Sequence, residues 1–223
     1  PSDKVIKIPL GVNTNKFIPS NDKNRHMIRD YLKIPRESII IGSFQKDGIG
    51  WGDGLKPKLI KGPDIFINTL KILSKRGLPV YALLTGPSRG FVKKELNKHN
   101  IPFFHSYVSN LDELIPLYQA LDLYLITSRE EGGPMGLLES MSCGIPVVTT
   151  KVGMAEDVVP EDIPGEISCE FDSTNLANKV ETLLNYFYKN KELNQEKIRR
   201  YILKFDWQEV AKQHFEKVYK DLI

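Results

Sequence analysis

The chain has 223 residues, 41% of them hydrophobic and 26% charged, so it carries enough apolar side chain to build a core and does not read as disordered. Its 31 basic and 28 acidic residues leave a formal charge of +3, too small to argue for nucleic acid by bulk electrostatics. Any anion site is therefore local. No apolar run approaches the roughly 20 residues that span a bilayer, and no charged-then-apolar leader opens the sequence.

The sequence begins at Pro1 and runs at once into VIKIPLGVNTNKF, which reads as a strand-like stretch with a turn. From Ser38 onward, short apolar runs alternate with helical patterns, the signature of a parallel sheet covered by helices on both faces. The first strand is Ile39-Ile40-Ile41, before Gly42. A helix follows over about 63–75, with Phe66, Leu70 and Leu73 at helical spacing, and then a strand over 80–85. Next come a helix over 91–99, a strand over 102–107, a short helix over 111–118 and a strand over 121–127.

Residues 134–143 read as a helix with Pro134 at its first position, and 145–149 as a strand of branched residues. Beyond Gly165, Leu176, Val180, Leu183, Leu184 and Phe187 share one helical face, with Asp172 or Ser173 placed to cap it. Two more helices follow, the last over 206–222 with Trp207, Val210, Ala211, Phe215, Val218 and Leu222 at helical spacing. The fold class is α/β: a Rossmann-like parallel sheet plus C-terminal helices, one domain over 1–223. Residues 1–20 are a linker and first turn, 38–170 the core and 171–223 the helices.

Several features are read as structural. Cys143 and Cys169 form no metal-ligand spacing or disulfide framework, so both are packing residues, and their reduced state points to the cytoplasm. His26, His99, His105 and His214 are scattered and no Asp-x-Asp occurs, so no metal is expected. The run GIGWGDGLK lacks the Gly-Lys-Ser/Thr of a P-loop and the third glycine of a dinucleotide loop. It is expected to be a mobile loop with Trp51 at its tip, packed against the body.

The chemistry concentrates in SREEGGPMGLLESMSCGIPVVTT, residues 128–150, which leaves one strand, opens a helix and feeds the next strand. Ligands of doubly wound sheets bind at such strand ends. Glu131 falls in the loop and Glu139 in the helix, with Gly132, Gly133, Pro134, Met135 and Gly136 between them. Carboxylates accept hydrogen bonds from vicinal hydroxyls, and a helix N-terminus offers free amides. The set suits a sugar diphosphate.

Two glutamates eight positions apart inside EEGGPMGLLESMSCGIPVVTTKVGMAEDVV resemble the signature of retaining glycosyltransferases of family four, which have the GT-B fold. KGPDIFINTLKIL, LLTGPSRG and FFHSYVSNLDELIPLYQALDLYLITS stand in the order that family shows. The resemblance is specific from about Val5 to Val159. It implies the C-terminal, donor-binding half of such an enzyme, with the N-terminal acceptor half outside this sequence.

In that family the second glutamate holds the nucleotide ribose and the first contacts the transferred sugar. The resemblance therefore assigns ribose to Glu139 and the sugar, with the catalytic role, to Glu131. The backbone at Gly133, Pro134, Met135 and Gly136 would meet sugar and phosphate, and Val108 would line the base pocket. The family's diphosphate is held by an Arg after the first strand glycine and a Lys before the next helix. The Lys is Lys61, but Ser43 stands where the Arg would be, with Lys46 the nearest replacing cation and Ser43 and Gln45 as neutral donors.

The implied substrate is a nucleoside diphosphate sugar, with no cofactor and no metal. The implied acceptor is a glycan, lipid or small molecule held by the N-terminal half, with peripheral membrane contact of the full-length protein left open. Two other readings share the scaffold: a GT-B epimerase or phosphorylase, and a non-catalytic sugar-nucleotide-binding partner subunit. The missing Arg favours the second of these.

Overall fold

The computed structural model describes residues 5–220. Its strands are β1 (Ile39–Phe44), β2 (Val80–Thr85), β3 (Phe103–Ser106), β4 (Leu123–Ile126), β5 (Val147–Thr150) and β6 (Gly165–Ser168). They form one sheet in the order β3-β2-β1-β4-β5-β6, with every pairing parallel. The chain winds outward from β1 to β3, then returns to start β4 on the other side of β1. That reversal between β1 and β4 is the switch point at which doubly wound sheets open a crevice.

The helices are α1 (Asp22–Tyr31), α2 (Pro63–Lys75), α3 (Gly90–Lys98), α4 (Leu111–Gln119), α5 (Met135–Ser142), α6 (Ala155–Val158), α7 (Ser173–Lys189), α8 (Lys191–Ile202) and α9 (Trp207–His214). Because strand side chains alternate, each buried strand feeds two cores. Ile40, Leu83, Tyr124 and Val147 join Leu117 and Tyr118 of α4, Leu137 and Met141 of α5, and Ile198 and Ile202 of α8. Ile41, Leu84, Leu123 and Val148 join Phe66 and Leu70 of α2, Val92 and Leu96 of α3, and Leu176, Val180 and Leu184 of α7.

The expected βα alternation is therefore present, with ends shifted by a few residues. Pro134 is the N-cap of α5 rather than its first residue, and Asp172 caps α7 by accepting from the Asn175 amide at 2.6 Å. The last helix is divided: α9 passes into a π-helical turn over Phe215–Tyr219, and Leu222 lies outside the described residues.

The leading segment is not a strand. Within it Val12 makes a single bridge, to Asp206. Its backbone groups are taken instead by the C-terminal elements: Val12 N donates to Phe205 O at 2.9 Å, Trp207 N donates to Val12 O at 3.1 Å, and Arg199 donates to Thr14 O and Phe17 O. Once these groups are paired, no sheet is needed to satisfy them.

α1 has no counterpart in the apolar pattern. It buries two arginines instead of an apolar stripe. Arg29 donates to Asp122 Oδ2 at 2.8 Å and to Ala120 O, Arg25 pairs with the same carboxylate, and Ile40 N donates to it at 2.6 Å. Tyr188 of α7 completes the cluster. One buried Asp122 thus ties α1 and α7 to the starts of β1 and β4.

Candidate functional site

At the C-terminal ends of β1 and β4 lies a cavity of about 360 Å³. Its wall holds Ser43 near the end of β1, Gln45, Lys46, Lys58 and Lys61 from the connection between β1 and α2, and Glu131, Gly133, Pro134, Met135, Gly136 and Glu139 around the start of α5. Two other hollows are larger, about 530 Å³ each. One is a depression bordered by Glu156, Glu161 and Glu166 at the β6 edge, the other an apolar groove between α1 and α4. Neither gathers both signs of charge at the switch point, so the smaller cavity is the candidate site.

Glu139 is half-buried on α5. Tyr118, fully buried on α4, donates its hydroxyl to Glu139 Oε2 at 2.6 Å, which leaves Oε1 for a ligand in the cavity that Glu139 lines. Burial raises the Glu139 carboxyl above the usual carboxylate range, and the bond from Tyr118 pulls it partly back. The first turn of α5 has no side-chain cap, so its leading amides remain available. Gly136 lets that turn lie on Tyr124, since a Cβ there would stand 2.2 Å from the Tyr124 hydroxyl. The same hydroxyl contacts Phe44 N at 3.1 Å, joining α5, β4 and the end of β1.

Lys61 closes the 3-10 turn Leu59–Lys61 just before α2. Gly62 follows with φ 63°, and a Cβ there would meet Thr127 O at 1.8 Å, so only glycine brings this turn against the end of β4. Thr127 Oγ1 donates to Gly62 O at 2.8 Å and Arg129 N donates to Ile60 O at 2.8 Å. The result is an ion pair across the cavity wall: Lys61 Nζ stands 2.5 Å from Glu131 Oε1. Ser128 Oγ donates to the same oxygen at 3.0 Å. Glu131 thereby answers the misfit of a cation at a helix N-terminus.

The glycine-bearing loop after β1 is tied down. Ile49 N donates to Lys56 O and Lys58 N to Asp47 O, while Ser88 Oγ donates to Gly52 O. The Gly90 and Phe91 amides at the start of α3 donate to Asp53 O and Gly54 O. Gly48 and Gly54 permit this closeness to Ser88. Trp51 does not pack on the body: it is 91% exposed, and the Lys46 ammonium lies 3.8 Å over its ring. The glycines around it have no neighbours to pack against, and the lysine supplies a cation–π contact instead.

Ser43 is buried, its hydroxyl accepting from Arg89 Nη2 at 3.2 Å. Arg89, from the β2–α3 loop, also donates to Ser43 O at 2.6 Å and Thr85 O at 2.9 Å and stands 3.1 Å from Asp47. This buried cation beneath the end of β1 has no motif of its own. The one signal for it is its place in LLTGPSRG.

Nine of the ten site residues expected from sequence line one cavity, and Lys58 joins them unannounced. Val108 lines the separate apolar groove with Ile28, Leu32, Phe104 and Leu117. Cys143 is buried as expected, but Cys169 is exposed, because it follows β6 at the open edge of the sheet.

Residues 55–200 match the family model described as glycosyl transferases group 1. The chain belongs to that family. A probable sucrose-phosphate synthase of Thermosipho melanesiensis is 25% identical over 98% of this chain and 48% of its own length. This chain thus spans about half the length of the curated relatives it matches. The Anabaena protein HepE, solved in complex with UDP-glucose, superposes with a TM-score of 0.76 at 20% identity, over 99% of this chain and 58% of that one. A glycosyltransferase from Rickettsia africae gives a TM-score of 0.80 at 18% identity, over 100% of this chain and 58% of that one. These likenesses establish the GT-B type of C-terminal, Rossmann-like fold.

Proposed function

We propose that this chain is the donor-binding domain of a retaining glycosyltransferase of family four, which moves a hexose from a nucleoside diphosphate sugar to an acceptor. The observation that carries the reading is the single cavity at the β1/β4 switch point, where Glu139, Glu131, Lys46, Lys58 and Lys61 converge beside the uncapped start of α5. Glu139 accepts from the ribose hydroxyls, Glu131 contacts the transferred sugar, and the lysines and the α5 amides hold the diphosphate. With that much positive charge, the donor is bound without a metal or any other cofactor. The UDP-glucose held by the Anabaena neighbour supports the choice of ligand class.

The acceptor, a glycan, lipid or small molecule, is bound by the portion of the protein that the longer relatives possess beyond this region, so this chain alone binds donor with little or no turnover. The whole enzyme works in the cytoplasm. Thermal shift with UDP, GDP and ADP tests donor binding directly, since ligand at 100 times its dissociation constant stabilises by about 2.7 kcal/mol. Absence of any shift with all three overturns the reading. Ser43 in place of the family Arg favours a non-catalytic partner subunit as the second reading. Binding without sugar transfer by the full-length protein would select it.

A further inference from the structure

Three lysines line the cavity, and their engagements differ. Lys61 is spoken for by Glu131 at 2.5 Å. Lys46 lies 3.8 Å over the Trp51 ring. Lys58 is half-buried in the same wall, and among the described residues no carboxylate stands within ion-pair distance of its ammonium. The neighbouring guanidinium, that of Arg89, is fully buried against Asp47 and the carbonyls of Ser43, Gln45 and Thr85, and does not reach the cavity.

The root of Lys58 is fixed rather than floating. Its amide donates to Asp47 O at 2.8 Å, its carbonyl accepts from Lys61 N at 2.8 Å, and it opens the 3-10 turn that sets Lys61. A half-buried cation in the cavity wall with no carboxylate beside it is free to take an anion bound there. We infer that Lys58 supplies the cation that the chain lacks at position 43, and is the main side-chain anchor for the diphosphate of the bound nucleotide. Lys46 is then a secondary donor, because reaching the phosphates means leaving the indole. Lys61 is shared, held in place by Glu131.

The inference rests on the donor-binding reading above, and the experiment separates the two. Calorimetry is run with whichever of UDP, GDP and ADP binds the wild-type protein, with its free nucleoside and with inorganic pyrophosphate. Lys58→Met should weaken the diphosphate and pyrophosphate about ten- to a hundredfold while leaving the nucleoside unchanged, the range for a charged hydrogen bond. Lys58→Arg should restore most of the loss, and Lys46→Met should cost less than Lys58→Met.

Diphosphate affinity unchanged in Lys58→Met, with normal wild-type binding, overturns the assignment while leaving the donor-binding reading intact. A loss that is equal for nucleoside and diphosphate, or larger for Lys46→Met than for Lys58→Met, overturns it as well. A wild-type protein that binds none of the three nucleotides overturns the donor-binding reading and this inference with it.

Discussion

The hydroxyl of Tyr118 and the carboxylate of Glu139 meet at 2.6 Å across two helices, α4 and α5, that are joined by the whole of β4 and its loop. The contact orients one carboxylate oxygen and frees the other, and it partly offsets the rise that burial imposes on the Glu139 carboxyl. Glu139→Ala should therefore weaken nucleotide binding by about 1.5 to 3 kcal/mol. Tyr118→Phe should do so by less at high pH, with the deficit growing as pH falls, because the carboxyl then protonates earlier. Calorimetry at several pH values reads both. An identical pH profile in Tyr118→Phe and wild type would remove Tyr118 from the site.

The same pair predicts an opposition between stability and binding. A carboxyl whose folded pKa is raised gives stability that is complete below its unfolded value and is lost as pH rises through the folded value. Glu139→Gln accepts the Tyr118 bond without burying a charge. Relative to wild type it should gain stability as pH rises from the ordinary carboxylate range toward neutrality, while losing nucleotide affinity. Urea denaturation across that range measures the gain, and a constant difference between the two proteins would show that Glu139 titrates normally.

Much of this arrangement is legible in sequence, and the exceptions have identifiable physical causes. Helices α2 and α7 announce themselves because Phe66, Leu70 and Leu73, or Leu176, Val180 and Leu184, repeat at the period of a helix lying on a sheet. The Glu131 to Glu139 string is legible because one strand end and one helix start fall within it. α1 is not, since it docks through Arg25 and Arg29 onto Asp122, and an ion cluster has no periodicity. Arg89 and Lys58 escape for a related reason: what distinguishes them is whether a counter-charge stands nearby, and that is settled by segments far away in the chain. The strand β6 is half-exposed at a sheet edge and lacks the apolar run of the central strands.

Glycine positions around the cavity give a sharper test of its construction. At Gly136 a methyl would stand 2.2 Å from the Tyr124 hydroxyl, whereas at Gly132 nothing lies within 4 Å. Gly136→Ala should cost about 1 to 3 kcal/mol of stability by overpacking and should impair nucleotide binding, while Gly132→Ala should be nearly silent. Gly62→Ala, with a carbonyl 1.8 Å away, should be worse than either. Thermal denaturation with a binding assay orders the three, and a tolerant Gly136→Ala would mean that α5 does not rest on Tyr124.

Arg89 and Asp47 are both buried beneath the end of β1, and the pair is the one counter-charge each has among the described residues. Removing one partner leaves the other charge uncompensated, so Arg89→Met should cost about 3 to 5 kcal/mol. The double variant Arg89→Met, Asp47→Leu should recover part of that loss, because no lone charge remains. Chemical denaturation of the four proteins in this cycle reads the coupling, and strictly additive losses would mean that the two groups do not interact.

Glu131 and Lys61 neutralise one another at 2.5 Å, so the two substitutions should behave in opposite ways toward a nucleoside diphosphate. Lys61→Ala removes a cation from the phosphates and should lower affinity for the diphosphate more than for the free nucleoside. Glu131→Gln keeps the size and the hydrogen bond with Ser128 while releasing the Lys61 charge, so diphosphate affinity should hold or rise. Sugar transfer by the full-length protein should nonetheless fall, by about a hundredfold if Glu131 stabilises the reacting sugar. A Glu131→Gln enzyme that binds diphosphate as before and transfers sugar at the wild-type rate, with unchanged donor preference, would reduce Glu131 to a counter-ion for Lys61.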